Sequence, residues 1–202
     1  MLLSLLSKTT PDKAGDPPMT FSSRVKNELC QSPLGSECCA RAEVYGALLH
    51  CNTFTPQEVR VITESESFAR RLPALLDRAF GLAFDRLPAE GGHKYVFQIT
   101  DREKTGRIVD AFGFDSRQSP VLHINFGLLE EDCCRSAFLR GAFLSGGSTT
   151  EPSKSYHLEL STSHHSVSRE VLALMRELGL EAKSSQRKGN MVLYFKQSDR
   201  IE

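Results

Sequence analysis

Two stretches lying 95 positions apart constrain this chain more than any other feature: CCARAEVYGALLHCNT at 38–53 and CCRSAFLRGAFLSGGST at 133–149. Both open on Cys-Cys, both place a glycine at the same offset (Gly46 and Gly141), and both leave a small, apolar stretch through a small polar exit. A long period of this kind marks a duplicated supersecondary unit. Each copy is followed by an alternating strand, QEVRVIT or SYHLELST, and then by a helix ending in a Gly-Leu pair, Gly81-Leu82 or Gly179-Leu180. A polar turn containing glycine then leads to a second alternating strand, HKYVFQI or NMVLYFK, with the period of two that a half-buried strand requires. Two α-β-α-β units follow, an α+β chain. Their order can close one pseudo-two-fold unit in which the Gly-bearing helices pack against each other, Gly46 and Gly141 permitting close backbone approach, with a sheet on either side; the alternative is two α+β lobes with packing glycines.

Other local signals fill in the elements. FSSRVKNEL reads as a short amphipathic helix capped by Ser22 or Ser23, with Phe21, Val25 and Leu29 on one stripe. SESFARRLPALLDRAFG reads as a helix capped by Ser65 or Ser67 and ended by Gly81; its internal Pro73 must fall early or kink it. A Gly91-Gly92 turn precedes the strand of Tyr95, Phe97 and Ile99, DREKTGRIVDAFG forms a short helix, and VLHINF is expected to be an edge strand. Residues 1–19 read as a flexible lead, 20–126 as the opening helix and first half, and 127–202 as the second half. The apolar MLLSLLS is too short to span a membrane and lacks a cleavage site.

The chain has 25 Lys plus Arg against 25 Asp plus Glu in 202 residues, which excludes a chain-wide basic field but not a local basic face. Six cysteines, four of them in adjacent pairs and without a secretory signal, favour reduced thiols and a cytoplasmic address, with nucleoid association if DNA is the partner.

FLRGAFLSGG resembles the LAGLIDADG motif helix, with Leu139, Gly141, Phe143 and Gly147 at its characteristic positions; Tyr45-Gly46-Ala47-Leu48 occupies the matching site in the first copy. Together with FSSRVKNELC and the paired cysteines, the chain is similar to the bacterial WhiA family of sporulation and cell-division regulators. The resemblance covers residues 20–202. It implies a duplicated, homing-endonuclease-like fold with pseudo-two-fold symmetry and saddle-like antiparallel sheets. It also implies a transcription-regulating, DNA-binding protein whose helix-turn-helix domain lies beyond this module. After Phe195 only KQSDRIE remains, so that domain is expected to be absent from this chain.

A LAGLIDADG nuclease holds Mg²⁺ with a carboxylate at the end of each motif helix. The matching positions here are Cys51 and Gly146, a thiol and no side chain at all. Glu43, Glu130, Glu131 and Asp132 lie before or early in the motif helices, roughly 12 to 24 Å from the far ends at 1.5 Å per residue. No catalytic residue, metal site, cofactor or small-molecule substrate is therefore expected. The adjacent cysteines are read as core packing, because neighbouring helix side chains diverge by about 100° and are hard to aim at one zinc ion.

For DNA, the outward strand set contains Glu58, Arg60, Ile62, Lys94, Val96, Gln98, His157, Glu159, Asn190, Val192, Tyr194 and Lys196. Phosphate contacts are expected from Arg60, Lys94 and Lys196, and from Lys183, Arg187 and Lys188 in a hairpin-like loop between 181 and 190. Glu58 and Glu159 oppose them, so this fragment should bind DNA weakly. The competing reading is a protein-interaction scaffold that positions the missing domain or binds another regulator, favoured by Ile62, Val96, Val192 and Tyr194 as an outward apolar-aromatic patch.

Overall fold

A computed structural model of the chain describes residues 20–89, 93–115, 117, 121–151 and 157–196. The expected lead and the Gly91-Gly92 turn lie outside them. Helix α1 (Phe21–Gln31) is capped by Thr20, whose Oγ1 accepts from the Ser23 amide at 3.2 Å, and not by Ser22 or Ser23, which already lie inside the first helical turn. Helix α2 (Glu37–Leu49) is the first motif helix, and β1 (Thr53–Phe54) and β2 (Val59–Thr63) follow it. Helix α3 (Glu66–Phe80) starts at Ser65, runs through Pro73, and stops at Gly81, whose φ of +62° suits glycine. Strand β3 (Tyr95–Ile99) and helix α4 (Arg102–Ala111) complete the first half.

The stretch VLHINF does not form an edge strand. Its backbone is taken up by side chains instead: His123 O accepts from the Tyr45 hydroxyl at 2.7 Å, and that hydroxyl accepts from Asn125 N at 2.9 Å. Ile124 N donates to a Glu170 carboxylate oxygen at 2.5 Å. A short 3₁₀ turn, Phe126–Leu128, leads on to α5 (Asp132–Gly146), the second motif helix.

The second half continues with β4 (Gly147–Thr149), β5 (His157–Thr162), α6 (His165–Glu177), β6 (Lys183–Arg187) and β7 (Asn190–Lys196). The expected loop between 181 and 190 is thus mostly a strand. The turn shrinks to Lys188 and Gly189, with φ of +49° and +86°, the geometry of a two-residue hairpin that matches strand twist. Both sheets are antiparallel, in the orders β1-β2-β3 and β4-β5-β7-β6. In the first half the counterpart of β6 is reduced to a single bridge, Arg86 opposite Gln98.

Alternation sets what each sheet buries. Val59 and Val61 of β2 face the core beside Ile99 and Phe97, while Arg60 and Ile62 face out beside Gln98 and Val96. Leu160 and Leu193 do the same for the second sheet.

The core is organised around α2 and α5. A methyl group on Gly46 would run into the Phe138 carbonyl oxygen and lie 2.9 Å from Ala142 N. One on Gly141 would run into the Glu43 carbonyl oxygen and lie 3.1 Å from Ala47 N. Glu43 and Phe138, like Ala47 and Ala142, are 95 positions apart, so the two backbones touch symmetrically. Glycine is required here for space rather than for φ.

Candidate functional site: the motif-helix ends and the outer sheet faces

The C-terminal ends of α2 and α5 meet beneath the sheets. Cys51 donates through Sγ to Thr53 O at 3.1 Å, and burial pushes its thiol up to about 12, so it stays protonated. At Gly146 a Cβ would stand 2.5 Å from Ser161 O and 3.0 Å from the His50 Cβ, which leaves no room for any side chain. His50 is buried, its Nδ1 2.9 Å from Gly46 O, and burial pulls its imidazole down to about 4; it is neutral and donates that bond.

The helix-end carbonyls are also occupied. Ser161 Oγ donates to Gly146 O at 3.1 Å, Thr162 Oγ1 to Leu49 O at 3.0 Å, and Lys26 Nζ to Leu144 O at 3.1 Å. These donors satisfy orphan carbonyls of the last helical turns. A hard dication would find a thiol, a neutral imidazole and a glycine there, a poor set for Mg²⁺.

The nearby acids are committed elsewhere. Glu43 is fully buried and holds two arginines. Arg71 Nε reaches Oε1 at 2.7 Å and its Nη2 reaches Oε2 at 2.9 Å, while Arg140 Nη2 reaches Oε2 at 2.6 Å. Arg71 also donates to Ser32 O at 2.6 Å and Cys30 O at 3.1 Å, so this carboxylate ties α2 to α3, α5 and the α1–α2 loop. Nothing in the local pattern signals this cluster. Glu131 is the residue before α5 and Asp132 lies in its first turn, a full helix length from Gly146, or roughly 21 Å at 1.5 Å per residue. The chain is therefore not built as a two-carboxylate nuclease.

The outer faces are polar and partly self-paired. Gln98 Nε2 donates to Glu58 at 2.6 Å, and Lys94 lies before β3, 3.6 Å from Glu64. On the second sheet Glu159, Tyr194 and Lys183 stand side by side across three strands. Arg187 Nη1 donates to Glu159 at 2.6 Å and sits 5.8 Å over the Tyr194 ring, on which His157 stacks at 5.7 Å. Of the cations expected to meet phosphate, Arg60, Lys183 and Lys188 are exposed and form no salt bridge among the described residues; Lys94 and Arg187 are paired. Lys196 pairs through its backbone with His157, and its side chain lies outside the described residues. Val192 lies on the same outer face as Tyr194, between Ser161 and Ser185 on an inner strand, but it is only 6% exposed and so adds little apolar surface there.

The opposite ends of the motif helices depart most from sequence expectation. Cys39 and Cys134 are buried, as core packing requires, but Cys38 and Cys133 are exposed. The Sγ atoms of Cys38, Cys39 and Cys134 lie within 4.8 Å of one another. The repeat itself held the signal, since equivalent residues of two touching helices must converge.

A description of the WhiA LAGLIDADG-like domain matches residues 135–202. The probable cell division protein WhiA of Ruminiclostridium cellulolyticum is 35% identical over 193 residues, covering 91% of this chain and 61% of that protein. The chain thus spans about three fifths of the length of that curated relative. The crystal structure of the N-terminal LAGLIDADG domain of DUF199/WhiA superposes with a TM-score of 0.65 at 25% identity, covering 90% of this chain and 88% of that one. I-DmoI in complex with DNA and Ca shares the fold, with a TM-score of 0.54 at 14% identity over 83% of this chain and 87% of that one.

Proposed function

This chain belongs to the WhiA family through its LAGLIDADG-like domain, and we propose that it is a non-cleaving module of a DNA-binding transcriptional regulator of sporulation or cell division, making weak supporting contacts to duplex DNA through its outer sheet faces. The observation that carries this reading is the division of labour across the module. The helix ends where cutting needs carboxylates offer Cys51 and Gly146, while Arg60, Lys183 and Lys188 stay exposed on the sheet side. Each phosphate neutralised releases counterions and steepens the salt dependence of binding.

The test is duplex binding by this chain across a salt titration, compared with an Arg60→Ala/Lys183→Ala/Lys188→Ala variant. Loss of three phosphate contacts lowers the log–log salt slope by about 2.7 and weakens binding at low salt. An unchanged slope and affinity would remove the sheet faces from DNA contact. It would favour the second reading, a scaffold that positions a helix-turn-helix domain or binds another regulator. That reading draws support from the half-buried Ile62 and Val96 side by side on the outer face of the first sheet.

A further inference from the structure

We propose that Cys38, Cys39, Cys133 and Cys134 form a four-thiolate site for a thiophilic divalent cation of the zinc class, set on the pseudo-two-fold axis where the N-terminal ends of α2 and α5 converge. The placement follows from symmetry. Cys38 corresponds to Cys133 and Cys39 to Cys134 at the same offset of 95 that relates Gly46 to Gly141. Two helices touching at their glycines therefore present two cysteines each to one point on the axis between them, and a tetrahedral ligand set with two-fold symmetry fits such a point.

Distances agree with a shared ion better than with a paired bond. The sulfurs of Cys38, Cys39 and Cys134 lie within 4.8 Å of one another; Cys133, exposed at the same helix end, lies outside that set and joins it by side-chain rotation. A zinc tetrathiolate with bonds of about 2.3 Å separates its sulfurs by roughly 3.8 Å, so contraction of about 1 Å through side-chain rotation closes the set. Each of these three sulfurs faces two others rather than a single disulfide partner.

The electrostatics also suit a complex of this kind. Four thiolates and one dication carry a net charge of −2, and the positive ends of two helices offset about half a charge each. Access is open: a cavity of about 180 Å³ is lined by Cys38 and Cys134, with Glu130 and Glu131 to attract a cation and Arg41 beside them. Binding releases the thiol protons and involves no change of oxidation state. The ion fastens the two halves at the ends remote from Cys51 and Gly146.

The experiment uses the reduced, chelator-treated chain loaded with ZnCl₂ and, separately, with Co²⁺. Elemental analysis is expected to return about one zinc per chain, and the cobalt form to show intense sulfur-to-metal charge-transfer absorption. Cys38→Ser and Cys133→Ser alter exposed residues and spare the core, which far-UV circular dichroism checks; each weakens zinc binding roughly tenfold or more, whereas Cys30→Ser does not. Chelation lowers the melting temperature of the loaded wild type but not of the Cys38→Ser/Cys133→Ser chain. Failure of the folded, reduced chain to retain zinc overturns the proposal. So does equal uptake by a folded variant lacking the exposed pair, or isolation of a metal-free chain two hydrogens lighter with Cys39 joined to Cys134.

Discussion

Replacing Gly141 with alanine tests the central contact, because two effects of opposite sign compete at one methyl group. In an unencumbered helix interior the exchange stabilises by about 1 kcal/mol. Here the new Cβ would lie 2.8 Å from the Glu43 carbonyl carbon and overlap its oxygen. Carbon atoms pack best at about 3.5 to 4.0 Å, so the helices must part by roughly 1 Å. A gap of that order forfeits about a quarter to a half of each facing contact's dispersion energy, along the most extensive helix contact in the protein. Overpacking and lost contact together cost about 4 kcal/mol, leaving a net destabilisation of about 3 kcal/mol after the propensity gain. In a protein of this size that lowers the melting temperature by roughly 6–12 °C. Gly46→Ala meets the symmetric obstacle, the Phe138 carbonyl carbon at 2.9 Å, and costs a similar amount. Once one methyl has opened the gap, the other finds space, so the double variant costs less than the sum by at least about 1 kcal/mol. Chemical denaturation of the four chains measures all three quantities. A neutral or stabilised Gly141→Ala chain, or strict additivity, would falsify direct backbone contact.

Three further outcomes follow from buried groups. Glu43→Ala strands the Arg71 and Arg140 guanidinium groups in the interior and costs about 3–5 kcal/mol in denaturant unfolding; a loss below about 1 kcal/mol contradicts the buried pairing. For His50, burial lowers the folded pKa from 6.5 to about 4, so the unfolded chain binds the proton more readily. Its contribution to stability, about 3 kcal/mol, is complete above pH 6.5 and fades as pH falls through 4; His50→Gln flattens that acid limb, and an unchanged limb refutes it. Restoring acids with Cys51→Asp and Gly146→Asp yields no Mg²⁺-dependent nicking, because the second substitution collides with Ser161 O at 2.5 Å and lowers stability instead; metal-dependent cutting by a folded double variant contradicts this.

Legibility in the sequence followed the range of the interactions responsible. The duplication was readable because Gly46 and Gly141 are demanded by a contact that repeats, and the alternation of Val59, Val61, Phe97 and Ile99 reports burial directly. VLHINF misled because its backbone partners are the Tyr45 hydroxyl and the Glu170 carboxylate, side chains far away in sequence. KSSQR misled because an edge strand with both faces largely exposed carries no apolar period. The Glu43 cluster joins residues 28 and 97 positions distant, which no local pattern encodes. For the cysteines, a one-helix view separates adjacent side chains, while the two-helix view brings equivalent ones together.

Charge neutrality acquires a specific meaning once the outer faces are resolved. It arises partly because cations on those faces are matched locally, Lys94 with Glu64 and Arg187 with Glu159. The exposed remainder, Arg60, Lys183 and Lys188, would supply three phosphate contacts under the proposed function, fewer than a reader making six to ten. Such a surface gains effect when joined to a tighter DNA-binding domain, since linkage makes its encounter with DNA intramolecular at an effective concentration of about a millimolar. Under the DNA-contact function proposed above, such a module would contribute register and orientation rather than sequence choice, because phosphate contacts position a protein on the duplex without reading its bases.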